Sequence, residues 1–161
     1  MIRPPAEPGT YAFLFRLEPG AYTVGALGTR EMTGGEYLYV GSAFGPGGLR
    51  SRVERHWRGR GKPRWHLDYL QPRRPLALWY TTDRHRREAL WARVAAALPG
   101  ASPSVPGFGA SDRPGATHLF RLAPAPSLED FRARVIRRAP RHGPVSAWAG
   151  DDDSTQTNGD P

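Results

Sequence analysis

Hydrophobic and polar residues alternate in short runs through the first third of the chain, which is typical of half-buried β-strands. Strands are predicted over residues 10–17 (TYAFLFRL), 21–27 (AYTVGAL) and 36–43 (EYLYVGSA). In the third strand, Tyr37, Tyr39 and Gly41 share one face. Leu38 and Val40 share the opposite face.

The hydrophobic period changes to a helical one after FGPGG, a segment that breaks the third strand. Leu49, Val53 and Trp57 recur four residues apart, which predicts a helix over residues 48–59. Arg52 and His56 share a neighbouring face of that helix. Further helices are predicted over residues 84–98 and 128–138, and further strands over 75–80 and 118–122. Residues 65–70 fit either a short helix or a strand.

These elements together predict an α+β fold. Strands dominate the first part and helices are interleaved later, which favours a small antiparallel or mixed sheet flanked by helices. About three core strands are expected. A chain of 161 residues suffices for one domain with a real core.

The charge of the chain points to a polyanionic partner. Lys and Arg number 23 against 15 Asp and Glu, and four of the acids lie in residues 151–161, so residues 1–150 carry +12. Such a balance predicts association with nucleic acid. Codon bias can explain why Lys62 is the only lysine, but it does not explain the surplus of basic over acidic residues.

The composition also limits which chemical groups can form a site and where in the cell the protein is expected. The absence of cysteine excludes disulfides, thiolate metal sites and a cysteine nucleophile. No apolar run approaches the ~20 residues of a membrane-spanning helix, and the N-terminus does not form a signal peptide. A cytoplasmic location is therefore expected.

Five side chains could serve the hydrolysis of a phosphodiester bond. The planar guanidinium of Arg52 matches a phosphate, and Glu88 offers the single carboxylate with which Mg²⁺ can be held. Tyr11, Tyr39 and His56 could position or deprotonate water, provided that nearby cations lower the tyrosine pKa. Each residue could equally play a structural role in the core, in a helix cap or on a solvated face, and spacing alone does not decide.

A basic loop follows the first helix and could contact the substrate. Lys62 and several arginines precede Trp65, a combination that suits phosphate contact and base stacking. We assign Arg50 to substrate binding as well. His66 and Asp68 either extend the site or serve packing alone. A structural role is favoured for the loop over residues 106–118, whose prominent members are Gly107, Gly109, Asp112 and His118.

Taken in order, these motifs resemble the GIY-YIG nuclease domain. Gly9-Thr10-Tyr11 resembles the first tripeptide of that family and Tyr39-Val40-Gly41 the second. Leu49, Arg52 and His56 match the helix that follows, and Glu88 matches the metal-binding glutamate. YVGSAFGPGGLRSRVERH, KPRWHLDYL, ALPGA, GFGASD and HLF are similar to a branch of the Uri superfamily known as a domain of unknown function.

The resemblance implies a metal-dependent endonuclease acting on DNA rather than RNA, with DNA repair as one setting. It implies that Tyr11 and Tyr39 face the scissile phosphate and that Arg52 stabilises the transition state. It also implies that His56 assists as a base or holds Tyr11, that Glu88 binds Mg²⁺ or Mn²⁺, and that Gly41 permits close approach of the substrate.

The resemblance also divides the chain. It covers residues 9–122, the expected nuclease domain. A flexible arm is expected over residues 1–8, a basic helix with an extension over 123–149, and a disordered acidic tail over 150–161.

Several features depart from the GIY-YIG pattern. Twenty-seven residues separate Tyr11 from Tyr39, which predicts an extra hairpin. Arg113 stands where relatives tend to carry cysteine, and Thr10 replaces isoleucine. The only asparagine is Asn158, so the downstream asparagine of many such enzymes is absent. The alternative hypothesis is therefore a nucleic-acid-binding module that retains the fold without turnover.

Overall fold

The computed structural model describes residues 3–110, 113 and 115–150. The predicted tail beyond Gly150, with its Asn158, and Asp112 of the 106–118 loop lie outside the described residues. The elements are β1 (Gly9–Leu17), β2 (Gly20–Thr23), β3 (Thr29–Met32), β4 (Gly35–Ala43), α1 (Gly48–Arg58), β5 (Arg73–Thr81), α2 (Glu88–Ala96), β6 (Ser102–Pro103), β7 (Leu119–Leu122), α3 (Leu128–Arg138) and β8 (Ser146–Trp148).

Six of the described strands form one sheet in the order β6-β7-β4-β1-β5-β8, and every neighbouring pair in it is antiparallel. The predicted α+β class is therefore confirmed. Strand β8 was not predicted. It pairs with the edge of β5 and places the end of the C-terminal extension in the sheet.

The central strands are covered by helices on both faces. One face carries Tyr11 and Tyr39 and packs against Leu49 and Val53 of α1. The other face carries Leu38 and Val40 and packs against α2 and α3. The buried residues that these two helices contribute are Trp91, Val94, Ala95, Phe131 and Val135. Because both faces are buried, the ends of the strands are the places where side chains from both layers can meet.

The extra hairpin between Tyr11 and Tyr39 is present as the two-stranded sheet β2–β3. The predicted strand over residues 21–27 is too long, since β2 ends at Thr23. Residues Gly25–Leu27 form a 3-10 helix instead. The change of direction is closed by a hydrogen bond from the Val24 N–H to the Gly28 carbonyl, and glycine at position 25 tolerates the φ of +46° found there.

Two of the three predicted helices have the expected bounds to within a residue, and the third begins late. Helix α2 starts at Glu88 rather than at residue 84. The Asp83 carboxylate accepts hydrogen bonds from the His85 N–H and the Arg87 guanidinium, which hold residues 83–87 in a turn. Residues His66–Tyr69, which fitted a helix or a strand, form a short 3-10 helix.

Residues 3–8 of the segment predicted as a flexible arm lie along the first turn of α1. The backbone N–H groups of Leu49 and Arg50 donate to the carbonyls of Glu7 and Pro5. These bonds satisfy helix donors that have no partner within the helix. None of the described helices is long and apolar enough to cross a membrane.

Candidate functional site

A cavity of about 270 Å³ opens at the end of β4, where helices from both faces of the sheet meet. Arg52 reaches it from α1 on one face, and Glu88 reaches it from the start of α2 on the other. Its walls are formed by Tyr39, Ser42, Arg52, Arg64, Trp65, His66, Glu88 and Gly109. Five residues assigned to the site from the sequence, namely Tyr39, Arg52, Trp65, His66 and Glu88, therefore share one cavity, although the first and the last are 49 positions apart in the chain.

Ser42 at the end of β4 links the two sides of this cavity. Arg52 donates from Nη1 to the Ser42 carbonyl at 2.9 Å. The Ser42 hydroxyl donates to Glu88 Oε2, also at 2.9 Å. The alternation of β4 accounts for this, because it points the side chain at position 42 away from the face of Tyr39 and towards α2. Arg52 and Glu88 are thus held beside the cavity without forming an ion pair with each other.

A buried chain of three polar side chains lies behind the cavity. The Tyr11 hydroxyl lies 2.8 Å from His56 Nε2. The other ring nitrogen, Nδ1, lies 3.7 Å from Asp68 Oδ1 and has no closer acceptor. A carboxylate on that side favours the tautomer with hydrogen on Nδ1, so that Nε2 accepts the hydrogen bond donated by Tyr11.

The protonation states of this chain follow from its burial. Burial lowers the pKa of His56 to about 4, although Asp68 opposes the shift. Burial alone would raise the pKa of Asp68, but its contact with His56 and the hydrogen bonds from the Trp65 and Arg64 N–H groups hold that pKa well below its usual range. At neutral pH, therefore, a neutral imidazole faces an anionic carboxylate.

The two motif tyrosines occupy different positions relative to the cavity. Tyr11 is completely buried, whereas Tyr39 forms part of the cavity wall. Burial raises the pKa of both Tyr11 and Tyr39 well above the usual value, and the nearby Arg52 opposes both shifts. Burial outweighs the cation, so both hydroxyls are protonated at neutral pH. Of the two tyrosines, only Tyr39 lines the cavity.

Gly41 makes room for Tyr11 and does not line the cavity. A Cβ atom at position 41 would lie 2.5 Å from the Tyr11 hydroxyl oxygen and 2.6 Å from Cζ. The glycine of the second tripeptide is therefore required by the packing of the first. The close approach expected at this position is made by a side chain of the same protein.

Trp65 lines the same cavity, and three arginine guanidinium groups lie near its ring. The Arg52 guanidinium lies over the indole at 3.9 Å from the ring centre, a cation–π distance. Arg55 and Arg64 lie farther out, at 5.2 and 5.3 Å. The indole therefore fixes the direction of Arg52 at the cavity wall.

His66 stands beside Trp65 with one ring nitrogen occupied. The Gly109 N–H donates to His66 Nδ1 at 2.8 Å. Burial lowers the pKa of this imidazole, so the neutral ring carries its hydrogen on Nε2. The ring can then act as a hydrogen-bond donor towards the cavity that it lines.

Glu88 is held by two neighbours and remains partly exposed. Besides the bond from Ser42, its Oε1 lies 3.0 Å from His118 Nδ1. No group of three His, Cys, Asp or Glu side chains that could hold a metal occurs among the described residues. A lone, oriented carboxylate at a cavity fits a divalent cation that takes one protein ligand and completes its shell with water and phosphate.

Not every residue predicted for the site lines this cavity. The Arg50 guanidinium donates to the Pro4 carbonyl. Lys62 is exposed, and its backbone carbonyl accepts a hydrogen bond from Arg55. Neither lines the cavity, because Arg50 turns towards the N-terminal segment and Lys62 lies in the loop before Trp65.

Three neighbours of the site were not assigned to it from the sequence. Ser42 and His118 orient Glu88, and Asp68 orients His56. For Asp68 the sequence offered its position beside His66, which did not decide between a role in the site and a role in packing. No period or spacing indicated that the residue just before β7 would contact the start of α2.

The family of the chain is shown by comparison with known sequences. No curated protein and no solved structure matches the chain. A family model described as "Domain of unknown function DUF123" matches residues 10–141, a range that contains every residue of the cavity. The chain belongs to the DUF123 family.

Proposed function

We propose that this protein is a metal-dependent endonuclease of the GIY-YIG type, within the Uri superfamily, that hydrolyses phosphodiester bonds in nucleic acid. One observation carries the proposal. Tyr39, Arg52 and Glu88, from three separate elements, line a single cavity in a strongly basic protein. DNA is the polymer that the sequence resemblance implies, and DNA repair is one setting for such an activity.

Arg52 is the group best placed to bind the scissile phosphate. One of its five N–H donors bonds the Ser42 carbonyl, and the guanidinium also contacts the Tyr11 hydroxyl, where it opposes the rise of the Tyr11 pKa. Trp65 covers one face of the guanidinium and limits its motion. The remaining donors can therefore meet the charge that develops on the phosphate oxygens, which is the usual source of transition-state stabilisation at such sites.

Tyr39 and Tyr11 take different roles in this proposal. The Tyr39 hydroxyl contacts the substrate or orients the attacking water, because it borders the cavity. Tyr11 is a positioning residue, since its hydroxyl is buried and bonded to His56. The chain from Tyr11 through His56 to Asp68 fixes the back wall against which Tyr39 packs, with ring centres of the two tyrosines 6.3 Å apart.

Glu88 would hold the Mg²⁺ or Mn²⁺ ion, with Ser42 and His118 keeping its carboxylate in place. When bound, such an ion supplies Lewis-acid polarisation of the phosphoryl group and acidity for the attacking water. That contribution matters here, because the protonated tyrosines and the buried His56 leave the cavity without a strong base of its own.

A cleavage panel tests the proposal. Labelled single-stranded, duplex, flapped and abasic DNAs and an RNA are incubated with Mg²⁺, Mn²⁺ or EDTA. Wild type is expected to give metal-dependent products. Glu88→Gln and Arg52→Gln are expected to lower the rate of cleavage by at least about 100-fold. Glu129→Gln and Arg137→Gln make the same charge changes on α3 and are expected to cut like wild type.

The alternative is a binding module of the same fold without turnover. The raised pKa of both tyrosines favours it, since a binder needs no base. It predicts binding that weakens with salt and no products with any metal. That result on the whole panel would replace the nuclease proposal by this one.

A further inference from the structure

A second and larger cavity, of about 400 Å³, adjoins the first. The two cavities share Arg52, Arg64 and Trp65 as a common wall. Beyond that wall, the second cavity is bounded by Ser51 and Arg55 of α1 and by the turn that precedes the helix. A ligand that passes the Arg52–Trp65 pair can therefore occupy both cavities at once.

The second cavity has a cationic lining. No carboxylate lies among the residues that line it. Arg55 is paired with Asp68 at 3.2 Å. Within the described part of the chain, neither Arg52 nor Arg64 forms an ion pair with an acid. Two positive charges are thus left without a counter-ion at the wall that both cavities share.

Side chains, rather than the end of α1, would hold an anion here. The N–H groups of Leu49 and Arg50 already donate to the carbonyls of the N-terminal segment. The turn over residues 45–48 contributes glycines and a proline, which leave space without adding charge. The positive field of this cavity therefore comes from its arginines, with the Trp65 ring as an apolar surface beside them.

We propose that the second cavity binds the phosphate of a nucleotide adjacent to the scissile phosphate. This inference rests on the proposed nuclease function, which places the scissile phosphate at Arg52 in the first cavity. The substrate class that follows is a polynucleotide chain running past the Arg52–Trp65 pair. An isolated phosphodiester or a single nucleotide would fill only one cavity and would bind weakly.

Ser51→Glu tests the second cavity without disturbing the fold. The side chain of Ser51 is exposed and borders this cavity but not the first. A carboxylate in the first turn of α1 is favourable to the helix dipole, so the variant is expected to fold. Ser51→Gln measures the effect of size alone. Ala133→Glu, at an exposed position of α3, repeats the change in net charge away from the site.

The readout is binding of a labelled oligonucleotide by fluorescence anisotropy in EDTA at fixed salt, so that it does not depend on cleavage. Ser51→Glu is expected to raise Kd about tenfold, the effect of one repulsive charge in a partly exposed cavity. Ser51→Gln should show a smaller loss and Ala133→Glu none. A series of strands, each with one neutral methylphosphonate linkage, then locates the contact. At one linkage, the neutral group should lower the affinity of wild type. At that same linkage it should lower the already reduced affinity of Ser51→Glu very little.

Two results would overturn the inference. Equal Kd values for Ser51→Glu and Ser51→Gln would show that no phosphate lies in the second cavity. A tenfold loss that persists at every methylphosphonate position would show that the added carboxylate repels the polymer as a whole. Failure of the nuclease proposal is separate, since it would appear as absence of cleavage by wild type with Mg²⁺ while the binding contrast remained.

Discussion

Acidification from pH 7 to pH 5 is expected to destabilise the fold through His56. The imidazole is fully buried, and burial lowers its pKa from 6.5 to about 4. On acidification, His56 is therefore protonated near pH 6.5 in the unfolded chain but only near pH 4 in the folded protein. The contribution of His56 to the free energy of unfolding is fully retained above pH 6.5 and decreases as the pH falls towards 4. Over pH 7 to 5 the loss is about 2 kcal/mol.

The assay is the urea dependence of unfolding at fixed ionic strength, followed at pH 7, 6 and 5. His56→Gln removes the titrating ring and keeps a side chain that can bond Tyr11. Tyr11→Phe removes the same hydrogen bond but keeps the ring, so it is the matched control. His66 and His142, whose pKa values are also lowered by burial, are present in all three proteins and cancel in the comparison.

Wild type and Tyr11→Phe should lose about 2 kcal/mol more than His56→Gln between pH 7 and 5. Parallel pH profiles of the free energy of unfolding in the three proteins would contradict the lowered pKa of His56. That result would mean that His56 takes up its proton in the folded state as readily as in the unfolded chain. The neutral ring that we place between Tyr11 and Asp68 would then be wrong.

Three further outcomes follow from the structure. Gly41→Ala is expected to destabilise the fold by about 1–3 kcal/mol in urea unfolding, because the new Cβ overlaps the Tyr11 hydroxyl and the ring carbon that carries it; a loss no smaller in the Tyr11→Leu background, which removes both, would contradict that cause. His66→Gln, whose amide NH2 can reach the position of Nε2 as a donor towards the cavity, should retain more DNA cleavage than His66→Asn, whose shorter amide can accept from the Gly109 N–H but does not extend to that position; the reverse order would give His66 a structural role. Ser127→Ala removes the side-chain cap of α3 and should cost about 1 kcal/mol by thermal unfolding with cleavage unchanged; a loss of cleavage would contradict the separation of α3 from the site.

The fold could be predicted where a single period governs a long segment. Both faces of β4 are buried, and its alternation assigned Tyr39 and Val40 to opposite layers correctly. The Leu49–Val53 stripe located α1 in the same way. Predictions failed where a side-chain contact overrides the pattern, as at the start of α2. There the Asp83 carboxylate holds the preceding turn, although the residues that follow Asp83 suit a helix.

The site could be predicted only in part, because its members are joined by contacts between distant segments. Arg52 and His56 share a helix, so their spacing gave a signal. Ser42 and His118 join the site through hydrogen bonds, and Asp68 joins it through its contact with His56; these contacts span ten to forty-six residues. No local pattern encodes such contacts, and the sheet has to form before they exist.

The measurement that tests the central claim most directly compares wild type with Glu88→Gln on one DNA strand. The rate of cleavage is measured with enzyme in excess and Mg²⁺ present, and Kd is measured in parallel by anisotropy in EDTA. We expect a rate at least about 100-fold lower in the variant with Kd changed less than about threefold, because Glu88 acts on the reaction and not on affinity. Equal rates in the two proteins, or no cleavage by either, would contradict the claim that this cavity hydrolyses phosphodiester bonds.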